Sequence, residues 1–85
     1  MKMIIIIVRD NDADTLTRAF TDGQYRVTRV ASTSGFLRSG VVTLLVGVDT
    51  KQLDAVIDLV RNVLPPSTEK RATVFVVPVE RYEQI

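Results

Sequence analysis

Four apolar, strand-like segments interleaved with two helical ones predict an α+β domain, an antiparallel four-stranded sheet with both helices on one face. Three observations carry this reading. Residues 3–8 and 41–48 are nearly continuous aliphatic runs, the pattern of strands in the middle of a sheet and covered on both sides. Residues 12–22 and 53–64 instead repeat their apolar side chains at helical spacing. The last apolar run, 72–79, contains Pro78, which a sheet accepts at an edge but not in its centre.

Taken in order, the first strand is Met3 to Val8. Asp10, Asn11 and Asp12 follow as candidate N-caps of a helix over 12–22, which carries Leu16, Ala19 and Phe20 and stops at Gly23. Residues 25–33 and 41–48 read as two strands joined by a tip framed by Ser34-Gly35 and Ser39-Gly40. Asp49 with Gln52 three residues later forms a capping box, and Leu53, Val56, Ile57, Val60 and Leu64 then share a helical stripe that ends at Pro65-Pro66. The order is βαββαβ, the ferredoxin-like split βαβ, with the first and third strands central and the second and fourth at the edges. Right-handed crossovers put both helices on the same side, which leaves the other face of two aliphatic strands bare in a monomer and predicts oligomerisation through the sheet.

The 85 residues form a single domain, 1–85, small enough to bury only about 60–65% of its unfolded surface. Without cysteine or histidine it has no disulfide, no thiolate or imidazole metal site and no imidazole base. The acidic residues Asp10, Asp12 and Asp14 lack the glycine and distal glutamate of a calcium loop, so they read as helix-capping groups and no metal is expected. Eleven basic residues against ten acidic ones give a net charge of +1, so no general basic field for nucleic acid exists and a phosphate site must be local. The opening apolar run is too short for a membrane span and has no small-residue cleavage site behind it; we expect a cytoplasmic protein with no membrane partner.

The segment from Tyr25 to Gly40 has the composition of a ligand-holding hairpin. Strand alternation places Arg26, Thr28 and Val30 on one face, and the glycine-bounded tip carries Phe36-Leu37-Arg38. Guanidinium, hydroxyl, backbone N–H and an aromatic plane together suit a nucleotide. An arginine on an edge strand is by default a charge that discourages edge pairing, and a threonine is an ordinary strand former; it is their shared face that gives them weight. Gly47 satisfies either a backbone need or the close approach of a flat ligand. Arg29 and Arg38 read as solvated.

With Arg26-x-Thr28, Thr33-Ser34-Gly35-Phe36-Leu37-Arg38-Ser39-Gly40, Gly47-Val48 and Ala72-Thr73-Val74-Phe75-Val76-Val77-Pro78-Val79 assembled, the chain resembles the PII-like cyclic di-AMP receptors nearly end to end. That resemblance implies a homotrimer of ferredoxin-like protomers with their sheets towards the threefold axis. It further implies a non-enzymatic sensor that binds one cyclic di-AMP in each cleft between subunits, needs no cofactor and signals to an unidentified protein. The family's ligand contacts then fall on Arg26, Thr28, Gly35, Phe36, Leu37, Gly47 and Gln84. The chain departs from the family pattern where Val41 replaces an adenine-contacting asparagine and where Pro65 to Arg71 replaces a long glycine-rich loop. Those departures imply weaker cyclic di-AMP binding, with ligand-linked change confined to the 34–40 tip. The competing expectation is a module of the same fold that has lost or changed its nucleotide.

Overall fold

The computed structural model describes residues 1–30, 40–64 and 70–85. Its elements are β1 (Lys2–Arg9), α1 (Asp10–Asp22), β2 (Val27–Val30), β3 (Val41–Val48), a 3-10 turn (Thr50–Gln52), α2 (Leu53–Val63) and β4 (Ala72–Pro78). The sheet runs β2-β3-β1-β4 with every pair antiparallel, so the two aliphatic runs are central and Pro78 lies on an edge strand, as the sequence predicts. Pro78 pairs with Lys2 at the end of the ladder, and the next residue closes it by donating the Val79 N–H to the Met1 carbonyl at 3.1 Å.

Register decides what each central strand buries. Ile4 lies opposite Val46, Ile6 opposite Leu44 and Val8 opposite Val42, and all six are buried. Over this row pack Ala13, Leu16 and Phe20 of α1 and Val56 and Val60 of α2, with Leu64 closing the end of the core. Each fully buried aliphatic or aromatic side chain in such a layer contributes about 1.5–3 kcal/mol. The alternate row, Met3, Ile5 and Ile7 with Thr43 and Leu45, is only partly covered. Phe75 and Val77 on β4 continue it and stand 51% and 37% exposed. No described element lies over this second row, so the protomer covers its aliphatic strands on one side only.

The start of α1 differs from the sequence reading. The helix begins at Asp10 with Arg9 in the N-cap position, and no side chain caps it. Its first turn is tied down by other means. The Asp10 N–H donates to the Gly40 carbonyl at 2.8 Å, and Gly40 takes the left-handed backbone (φ 82°) that favours glycine. Asn11 Oδ1 accepts the Asp12 N–H at 3.0 Å. Asp12, expected to cap, is instead 6% exposed inside the helix and accepts a bidentate pair from Arg71, at 2.6 Å from Nη2 and 3.3 Å from Nε. This hydrogen-bonded carboxylate raises the Arg71 pKa above its ordinary value, partly opposed by burial. The gain that comes from the Arg71 charge is lost as pH rises through the raised value, and it needs the Asp12 carboxylate in its ionised form.

β2 spans fewer residues than the 25–33 read from sequence, since Tyr25 and Arg26 precede the ladder and 31–33 lie outside the described residues. The Tyr25 N–H is engaged by the Phe20 carbonyl at 2.8 Å, which holds that residue to the end of α1 rather than to β3.

Removing one partner of the Asp12–Arg71 pair strands the other, so Asp12→Ala is expected to lower the melting temperature by on the order of 5–10 °C, with Asp12→Asn losing less. Circular dichroism melts of the two variants check this; an unchanged melt would make the pair incidental.

Candidate functional site

At the Met1 and Gly47 end of the sheet, on its open face, lies a cavity of about 500 Å³. That is within the ~300–1,000 Å³ range of small-molecule clefts. Arg26 and Thr28 line one wall, Gly47 and Leu45 of β3 with Met3 of β1 and the preceding Met1 form the floor, and Tyr82 and Gln84 close it beyond β4. Gln24, Tyr25, Gln52 and Val79 complete the lining.

The wall is positioned by the way α1 ends. Gly23 and Gln24 donate their N–H groups back to Ala19 and Thr21. The left-handed residue is Gln24 (φ 65°) and not Gly23, whose φ is −82°. Gly23 is needed for space: a Cβ there would sit 3.1 Å from Cδ2 and Cε2 of the Tyr25 ring. That ring packs edge-on against buried Phe20, with centroids 6.3 Å apart, and so sets the point from which Arg26 enters β2. Two residues on, Thr28 pairs with Leu45, and strand alternation brings Thr28, Leu45 and Gly47 to the open face together. Gly47 faces Met3 across β1, and a Cβ built on it meets nothing within 4 Å. It is not among the positive-φ residues, so glycine here serves emptiness rather than backbone geometry.

Of the seven residues picked out by sequence, Arg26, Thr28, Gly47 and Gln84 thus share one cavity, while Gly35, Phe36 and Leu37 lie outside the described residues. Gln84 lies in the tail beyond β4 and reaches the cavity within the single chain. The Val79–Met1 bond and the Arg81–Glu83 ion pair at 2.8 Å lead the tail to the cavity. Tyr25, Gln52 and Tyr82 are additions that sequence reading missed. No local signal marks them, because topology alone brings them together. Arg29, expected to be solvated, points the other way and pairs with Asp14 on α1.

Among the described lining residues Arg26 has the one charged side chain, and no carboxylate shares the cavity with it. Amides, hydroxyls and a rim of two tyrosines surround an apolar floor. This arrangement suits an anionic ligand carrying flat, partly apolar groups: the guanidinium offers a planar fork of donors, and the rings and thioethers offer contact area. Val41 does not line it. It borders a second cavity of about 290 Å³ at the other end of the sheet, with Ile7, Thr73, Arg9, Lys70 and Arg71. Gly47 is six steps along β3 from Val41, or about 20 Å of strand. Among the described residues no three His, Cys, Asp or Glu side chains cluster as metal ligands, and no helix is long and apolar enough to cross a membrane.

The fold matches the crystal structure of a functionally unknown protein from Pediococcus pentosaceus ATCC 25745, with a TM-score of 0.80 and 30% sequence identity over 99% of this chain and 96% of that one. The model of the cyclic-di-AMP receptor family matches residues 1–71, which include the hairpin, both central strands and α2. A match across most of the chain, on a fold that agrees strand by strand with the sequence reading, shows that the protein belongs to the cyclic-di-AMP receptor family.

Proposed function

We propose that this protein is a non-enzymatic sensor that binds cyclic di-AMP in the 500 Å³ cavity, at clefts between subunits of a cytoplasmic homotrimer, and relays its occupancy to a protein partner. One observation carries the reading: residues as far apart as Arg26 and Gln84, picked out for nucleotide contact, line a single cavity with a guanidinium in its wall and, among the described lining residues, no acidic side chain. Arg26 would take a phosphate or an adenine edge, Thr28 and the amides would hydrogen-bond sugar and base, and the bare strand at Gly47 would let a flat base lie against it. Gly35, Phe36 and Leu37 are proposed contacts from the hairpin tip. Receptor-family membership supports binding without turnover.

The trimer is supported by the open sheet face. Ile5, Ile7 and Leu45 are half-covered, with Phe75 and Val77 exposed beside them, in one contiguous apolar row of the kind that marks an interaction surface. A second and third copy of this chain are the occupants that also turn an open cavity into a cleft.

Light scattering at micromolar concentration is expected to give the mass of three protomers. A monomer would remove both the buried face and the inter-subunit cleft.

Calorimetric titration is expected to show binding of cyclic di-AMP in preference to cyclic di-GMP and ATP. Arg26→Ala should weaken it by about 1.5–3 kcal/mol, ten-fold or more, the cost of losing a hydrogen bond to a charged group. An unchanged titration with the trimer intact would reduce Arg26 to a surface charge.

Gly47→Val offers a complementary test, since a Cβ at this position has no other atom within 4 Å and valine favours strands. The variant should melt at or above the parent temperature and yet bind about ten-fold more weakly or worse, because its methyls occupy the space a base would use. Unimpaired binding would place the ligand away from this strand.

A further inference from the structure

We infer that Gln52 is a specificity-determining residue of the cavity, one that presents a fixed hydrogen-bond donor to a ring-nitrogen acceptor of a bound base. This rests on the reading of the cavity as a nucleotide site.

Gln52 ends the 3-10 turn that leads into α2 and, with Asp49, forms a capping box. Its side chain also lines the cavity floored by Met3, Leu45 and Gly47. These two placements together fix its chemistry. The Asp49 backbone N–H lies 3.1 Å from the carboxamide, and a backbone N–H only donates, so the atom that meets it is the carbonyl oxygen Oε1. A free glutamine is ambiguous in direction, but this one is not: the capping bond occupies its acceptor, and the Nε2 amine, with two N–H donors, is what remains. Among the described residues none accepts from Nε2.

A donor held beside an apolar floor favours ligand edges rich in acceptors and disfavours edges that present an N–H, because two donors left facing each other out of water both go unsatisfied. Adenine presents N1, N3 and N7 as acceptors and a single exocyclic amine as donor. Guanine keeps N3, N7 and O6 as acceptors, but along its Watson–Crick edge N1 and N2 carry hydrogens where adenine presents N1 as an acceptor. With the N1 edge of the base towards it, Gln52 thus supplies selection for adenine that Arg26, a general partner of phosphates and bases, does not.

The test uses two variants. Gln52→Glu keeps an oxygen for the Asp49 N–H, as glutamate serves in a capping box as well as glutamine does, but it turns the remaining donor into an acceptor. Gln52→Met keeps the length and adds no charge, but loses the donor. Titrated with cyclic di-AMP, Gln52→Glu should bind at least about ten-fold more weakly while melting within a degree or two of the parent, and Gln52→Met should bind about three- to ten-fold more weakly. Loss in the glutamate variant alone would mean charge repulsion only, and binding within two-fold of the parent in both would mean no contact; either result overturns the inference and leaves the nucleotide reading standing. A glutamate variant that melts as far below the parent as the methionine variant assigns Gln52 to the helix alone and overturns it too. A parent protein that does not bind cyclic di-AMP overturns the nucleotide reading and this inference together.

Discussion

The parity of two strands governs this molecule. β1 and β3 are apolar at nearly every position, so their pleat offers two hydrophobic rows, and the pairing of Ile4 with Val46 and Ile6 with Leu44 assigns one row to the helices. A slip of one residue would exchange the rows and carry Met3, Ile5 and Leu45 under α1 and α2. The βαββαβ order puts both helices on the same side, and the second row is left without cover by any described element. The open face and the cavity at its end both follow from that assignment.

The cavity depends on the same parity at the scale of single residues. Thr28, Leu45 and Gly47 reach it because they share the open side of the pleat, and Arg29, one residue out of phase with Thr28, is drawn to Asp14 on the helical side. Two arginines three positions apart thus have opposite roles. One is neutralised by a helix, and the other faces a space lined by amides, hydroxyls and aromatic rings. The emptiness at Gly47 and the close fit of Gly23 against Tyr25 show two separate uses of a missing Cβ, the first leaving room for something outside the chain and the second for a side chain within it.

Much of this was legible in the sequence, because periodicity is a local property. The central strands, the helix that follows Asp49 and Gln52, and the edge position of Pro78 all announce themselves within a few residues. Arg26, Thr28, Gly47 and Gln84 were singled out by motif, and the fold brings them to one cavity. What sequence could not give is pairing across long separations. Nothing near Asp12 distinguishes a capping carboxylate from one that meets Arg71, 59 residues away. Tyr25 and Tyr82 reach the same cavity from opposite ends of the chain, with no shared pattern to connect them. The sequence reading has the bounds of β3 right, yet which cavity each end of that strand borders depends on elements far away in the chain, Arg71 at the Val41 end and Tyr82 at the Gly47 end.

The first turn of α1 acts as a mechanical yoke. Asp10 is fastened to Gly40 at the foot of β3, and Asp12, two residues on, to Arg71 at the foot of β4. β1 lies between those strands in the sheet, and they touch only through it. The helix turn gives them a second linkage that bypasses the sheet. Gly40 and Arg71, at the feet of two strands that are not neighbours, thus share one anchor, and a displacement of either is felt by the same helix turn.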